Sequence, residues 1–167
     1  MPVRPVLNYP HPSLKQVAPA VDPRRCADLA ELAADLVDTM RSYEHCVGLA
    51  ATQLGLMARL IAIDVSEHPK AASNHGLLVL VNPCIVLASG SDVGREGCLS
   101  IPELTANVRR STEIVVEAST VASDQRVIDA DGFEARCLQH EIDHLDGILF
   151  LDRVDSLSNV FRRKRSG

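Results

Sequence analysis

A domain of mixed helix and strand is what this sequence predicts, and three observations predict it. Leu29, Leu32, Ala33, Leu36, Val37 and Met40 recur at helical spacing. Short runs rich in β-branched residues, bounded by turn residues, recur between residues 58 and 128. A second stretch free of proline and glycine, Ala135 to Leu145, then offers another helix. The 167 residues make one domain, 1–167, large enough to bury a core.

In chain order, residues 1–23 carry six prolines (Pro2, Pro5, Pro10, Pro12, Pro19, Pro23) and read as an extended arm. The amphipathic helix follows over 27–42, beginning near Asp28. Cys46 to Gln53 is a run of small residues that ends on an amide, and a packed loop accounts for it as readily as a ligand-facing one. Strands are expected at 58–65, 77–81 and 84–88, with Asn82-Pro83 breaking the last two apart. Residues 66–76 read as a polar surface loop whose His68 and His75 are solvated and hold no metal. Cys98 lies between Gly97 and a turn that ends at Pro102, a setting that exposes or places a thiol. Ile114 to Val116 and Val127-Ile128 are further strands before the Asp131-Gly132 turn. After Leu149-Phe-Leu-Asp-Arg153, residues 156–167 form a basic, flexible tail, helical for a turn or two.

Gln139-His-Glu-Ile-Asp-His-Leu-Asp-Gly147 contains His-Glu-x-x-His. In a helix, residues four apart stack on one face, so His140 and His144 can grip one metal ion while Glu141 reaches a water. A surface helix with two solvated histidines is the competing account. A catalytic site of this kind has three protein ligands and an open position. The extended peptidase motif is met at Gly147 and fails at Phe150, and after His144 the chain has no histidine, glutamate or cysteine. The third ligand is therefore expected upstream.

A net charge of −5 and the absence of tryptophan argue against a nucleic-acid surface or DNA as partner. The basic cluster Arg162-Arg163-Lys164-Arg165 would suit transient docking on ribosomal RNA, although a solvated end is the simpler account. No stretch approaches the ~20 apolar residues of a membrane helix. The first residues lack the apolar run of a secretory signal. Five cysteines without paired spacing read as reduced thiols, which suits the cytoplasm.

Gly48-Leu-Ala-Ala-Thr-Gln53, Glu96-Gly-Cys-Leu-Ser100 and Gln139-His-Glu-Ile-Asp-His144 stand in this order, and with them the chain resembles a bacterial peptide deformylase over nearly its whole length. The resemblance implies an α+β fold, with small antiparallel and mixed sheets packed around a central helix that carries the two histidines. It implies metal ligands at Cys98, His140 and His144. The ion would be iron(II) in cells, with zinc, nickel or cobalt as substitutes. Glu141 would be the general base, and the Gln53 side chain and Leu99 N–H the oxyanion donors. Val47, Gly48, Glu96, Gly97, Phe133 and Cys137 would meet the substrate, a formyl-methionyl nascent polypeptide, and the enzyme would act as a monomer. A metallopeptidase and an inactive deformylase-like binding protein are the alternatives. Two positions depart from the family pattern. Cys46 replaces a glycine, which is tolerable if that position needs only little bulk, and Thr105 stands where many members have arginine, a role that Arg109 or Arg110 could take.

Overall fold

The computed structural model describes residues 3–163. Its first helix, α1 (Leu29–Ser42), turns Leu29, Ala33, Leu36 and Met40 inward, the stripe expected from their spacing. Its second, α2 (Gly132–Leu145), is buried on most of its circumference. The strands are β1 (Gly48–Ala50), β2 (Leu60–Ile63), β3 (Leu78–Ser89), β4 (Asp92–Cys98), β5 (Ile101–Arg110), β6 (Glu113–Ser119), β7 (Gln125–Asp131) and β8 (Val160–Arg162). They form two sheets, ordered β1-β2-β3-β6-β7 and β4-β5-β8. Every pairing between them is antiparallel, so the mixed pairing is not seen among the described residues.

The larger sheet is covered on both faces at its β2 end, while β6 and β7 alternate buried with exposed residues. Along β2 all four residues are buried, as a strand with two covered faces must be. Ile61 and Ile63 pack with Leu138, Ile142 and Leu145 of α2 on one face. Leu60 and Ala62 pack with Leu36 and Met40 of α1 on the other. The smaller sheet has its own core, in which Ile101, Ala106 and Val108 meet Leu14, Leu149 and Phe150.

Three local expectations need correction. Asn82-Pro83 bends a single strand: the β3–β6 register shifts between Val81 and Cys84, and Asn82 adopts φ 51°. The Asn82 side chain exchanges two hydrogen bonds with the Val21 backbone, at 2.9 and 2.6 Å, which replace ladder bonds lost at the bulge. The stretch 92–110 is a long hairpin, concealed in the sequence by glycines and charges. Residues 157–162 are a 3-10 turn and then β8, with Leu104 opposite Arg162 and Thr105 opposite Phe161, so after its first turn the tail pairs as a strand and does not continue as helix. Lys164 and Arg165 of the basic tail lie outside the described residues.

The N-terminal arm clamps the parts of the site together. The Leu7 N–H donates to Gln53 O, the Tyr9 N–H to Ser100 O and the Ala18 N–H to Leu145 O, each at 2.8 Å. At the end of α2, Gly147 takes φ 72°, and a Cβ there would lie 2.6 Å from Lys15 O. Glycine therefore both ends the helix and lets the arm pass.

Candidate active site

The helical spacing brings His140 and His144 onto one face, with ring centroids 5.0 Å apart. Cys98 arrives from the opposite side at the end of β4, where the β4–β5 register shifts between Gly97 and Cys98. Such an irregularity re-aims a side chain, and here Cys98 Sγ lies 3.3 Å from His144 Nε2. One donor atom from each of Cys98, His140 and His144 falls within 4.8 Å of the others, and all three residues are buried.

This donor set fits a single divalent ion. A tetrahedral thiolate–imidazole site with metal–ligand bonds of ~2.0–2.3 Å separates its ligand atoms by roughly 3.3–3.6 Å, close to the Cys98–His144 spacing. Glu141 Oε2 is buried with no hydrogen-bond partner among the described residues, an acceptor that lacks a donor. His144 Nδ1 is likewise unpartnered.

His140 is held from behind. Its Nδ1 lies 2.9 Å from Glu96 Oε1, which leaves Nε2 for an ion. Arg110 donates to both Glu96 oxygens at 2.9 Å, and Arg136 adds a bond at 2.8 Å. Arg110 also donates to Asp143 at 2.6 Å, and Arg153 closes on the same carboxylate at 2.8 and 3.0 Å. The Arg110 and Glu96 side chains are 4% and 5% exposed. Burial alone would raise the pKa of Glu96, but its bonds to Arg110 and His140 outweigh that and hold the carboxyl well below the usual range. Glu96 thus supports His140, and its carboxylate oxygens are taken up by that network instead of facing substrate. Arg110 is committed to the same network, and Arg109 bonds Ser91 at an exposed site. Neither takes the place left by Thr105.

Glu141 stands on the cleft side of α2. Burial pushes its pKa up to about 7, opposed by the His140 charge and reinforced by Glu96. Its carboxylate lies against Gly48, where a Cβ would come within 2.8 Å of Oε1. Gln53 accepts from the Ala50 N–H through Oε1 at 3.0 Å, which turns Nε2 toward Ser100 Oγ at 3.1 Å and Cys98 Sγ at 3.4 Å.

Val47, Gly48, Gln53, Gly97, Cys98, Leu99, His140 and Glu141 together line one cleft of about 230 Å³. Val47 also packs against the core cluster that contains Cys137 and against which Phe133 packs, but Phe133 and Cys137 do not line the cleft itself. His68 and His75 are not members of that donor cluster; His75 is exposed, as expected, and His68 is half-buried. The His68 ring stacks on Phe133 at 4.1 Å, and His75 contacts Glu134 in the first turn of α2 through its backbone N–H and ring, at 2.7 and 2.6 Å.

At the departure from pattern, the left-handed residue is His45, at φ 65°, and Cys46 is not among the positive-φ residues. The Cys46 thiol donates to Gly48 O at 3.3 Å, and burial, followed by the charges of Glu141 and Cys98, pushes its pKa up to about 12. Cys46→Gly should therefore leave kcat/KM within about threefold, and the thiol should alkylate far more slowly than free cysteine at pH 8. A tenfold gain in the variant would show that cysteine strains the site.

Sequence reasoning named Arg110 only as a stand-in for the arginine missing at Thr105, and did not single out Arg136, Asp143 or Ser100 for a role. A signal was present for two of them, because Arg136, His140 and Asp143 follow i, i+4, i+7 spacing on α2.

A thiolate and two imidazoles around one point, with a buried carboxylate beside them, define a mononuclear metal centre of the hydrolytic kind. Residues 3–160 match the family model described as polypeptide deformylase. The chain is 40% identical over 166 residues to the peptide deformylase of Syntrophobacter fumaroxidans, covering 98% of this chain and 94% of that protein. Among solved structures, it matches the peptide deformylase of Thermus thermophilus with a TM-score of 0.81 and 38% identity, over 91% of this chain and 86% of that one. It matches a class I type b peptide deformylase of Acinetobacter baumannii bound to Met-Ala-Ser with a TM-score of 0.84 and 35% identity, over 92% and 100%. The chain belongs to the peptide deformylase family, metal-dependent enzymes that remove the N-formyl group from newly made polypeptides.

Proposed function

We propose that Cys98, His140 and His144 hold iron(II) in cells, that Glu141 is the general base, and that Gln53 and the Leu99 N–H stabilise the oxyanion. The observation that carries this reading is the buried, unpartnered Glu141 oxygen beside the three-residue donor cluster. A divalent ion there would supply a Lewis acid and acidify water toward neutrality. Thiolate donation suits iron(II), and zinc, nickel or cobalt would fit the same N/S set.

Glu141 takes a proton from the attacking water and passes it to the leaving α-amine. As the formyl carbon becomes tetrahedral, negative charge gathers on its oxygen. Gln53 Nε2 is already oriented toward the metal ligands by the Ala50 N–H bond, so little reorganisation is needed. Formate and a free amine are the products.

The substrate chain enters as a strand. β1 and β4 are edge strands of their respective sheets, and Gly48 and Gly97 place both at the cleft. A peptide lying between them can pair its backbone with either edge, which leaves residues beyond the first loosely specified. The methionine side chain takes the apolar ground among Val47, Phe133 and Cys137. That the Acinetobacter baumannii relative is bound to Met-Ala-Ser supports a short peptide as the ligand. The reading places the enzyme in the cytoplasm as a monomer. No helix among the described residues is long and apolar enough to cross a membrane.

Formate release from a formyl-Met tripeptide tests the reading, with protein purified without oxygen and its metal counted. Release should require about one iron per chain, cease on chelation and return when iron(II) is restored. Absence of release from fully loaded protein would overturn it. Gly48→Ala gives a sharper check, because its Cβ must displace Glu141. Activity should fall at least tenfold, as expected for a misplaced catalytic group, with metal content unchanged.

A further inference from the structure

One charged side chain from a distant part of the chain lines the same cleft: Arg163, just past β8. Its position follows from register. Phe161 pairs with Thr105, and Thr105 pairs with Gly97 across β5 and β4. The Arg163 N–H then bonds Glu103 O at 2.8 Å, continuing the ladder. From there the side chain crosses β5 and lays Nη2 over Gly97, where any Cβ would collide with it. The same Cβ would stand 3.4 Å from Thr105 Cγ2, so the guanidinium and the Thr105 side chain share one face of the sheet. The missing side chain at 97 and the short one at 105 together open the path the arginine uses.

Arg163 is exposed, and no carboxylate among the described residues pairs with its side chain. A guanidinium offers five N–H donors in a planar fork and no acceptor. Here that fork stands beside an edge strand whose free side faces the peptide slot. Gly97 precedes the ligand Cys98 by one residue, about 3.3 Å along the strand. The fork therefore meets the substrate main chain next to the reacting group, not the formyl group itself.

We propose that Arg163 is a substrate-positioning residue whose guanidinium donates hydrogen bonds to main-chain carbonyl oxygens of the residues that follow formyl-methionine. The proposal rests on the deformylase reading of the cleft. It assigns the C-terminal strand a part in binding: pairing of β8 with β5 delivers the arginine. Affinity then increases with peptide length, independently of side-chain identity.

The test measures KM and kcat of the metal-loaded enzyme on formyl-Met-amide and formyl-Met-Ala-Ser-amide, whose amide ends remove the terminal carboxylate. Arg163→Ala should raise KM for the longer peptide about tenfold, the scale of one lost charge-assisted bond. It should leave kcat within twofold and formyl-Met-amide unaffected. Arg163→Lys should recover only part of the loss, because a point charge replaces a fork. Thr105→Arg in the Arg163→Ala background should recover most of it, since it returns a guanidinium to the same face.

Unchanged KM, or an equal rise for both substrates, overturns the proposal. So does a fall in KM, which would mean that Arg163 competes with substrate, and so does an effect seen only with the free-acid peptide. If the unmodified enzyme releases no formate from either substrate, the deformylase reading itself has failed, a separate result.

Discussion

Glu141→Gln is expected to reduce kcat/KM for formate release by about a thousandfold, within the range of ~10²–10⁴ for a lost general acid–base group. The substitution nearly preserves shape. Glutamine fills the same space against Gly48, so neither α2 nor the cleft needs to move. What is lost is a proton acceptor at a buried position where no other described residue bonds Oε2. Metal content should stay near one ion per chain, because the donors are Cys98, His140 and His144.

The pH profile gives a second readout. Burial raises the Glu141 pKa to about 7 even against the His140 charge, and a divalent ion held by the neighbouring ligands would lower it from there. The carboxylate is the active base above that value, so kcat/KM should rise with pH through an acid limb centred below about 7. That limb should be absent from the residual activity of the glutamine variant. A variant within fivefold of the unmodified enzyme would remove Glu141 as the base.

The two histidines could be read directly because a helix makes spacing into geometry: four residues is one turn, so the pattern itself places both imidazoles. Cys98 could not be read that way. Nothing in Asp92–Cys98 alternates apolar with polar, so β4 is invisible as a strand, and the irregularity that turns Cys98 inward depends on its pairing with β5. Its setting between Gly97 and the turn to Pro102 marked a placed thiol, but only the likeness of Glu96-Gly-Cys-Leu-Ser100 to a family motif made it a ligand. The error at the C-terminus has the same root. Leu157, Val160 and Phe161 fit helical spacing, but three-residue β8 is selected by the open edge of β5, a tertiary partner that local pattern cannot register. His75 is exposed as expected, but its contact with Glu134, 59 residues away, was illegible for a comparable reason.

Arg110 was the hardest to foresee, and it supports the second large effect. Glu96→Ala should cost about 3–5 kcal/mol of stability, the range for breaking a buried ion pair by removing one partner. The variant would leave the Arg110 guanidinium buried with Asp143 as its one remaining acidic partner. Among the described residues, Arg136 would keep only carbonyl acceptors, Val108 O and Asp92 O.

His140 would also lose the acceptor that fixes its ring. Metal affinity should therefore fall ~10–100-fold, the usual consequence of removing an outer-shell partner. Chemical denaturation of metal-free protein isolates the first effect, and competition with a chelator measures the second. The sign with pH follows from the depressed Glu96 pKa. The carboxylate stabilises the fold fully above the unfolded value of ~4.3, and that contribution drains away as pH falls below it toward the folded value. The stability gap between the unmodified enzyme and Glu96→Ala should thus be fully present near pH 6 and narrow steadily below about 4. A gap under 1 kcal/mol at neutral pH with unchanged metal affinity would mean that Asp143 alone suffices to hold Arg110, and that His140 is oriented by its packing against Phe150, a stacked ring 6.1 Å away.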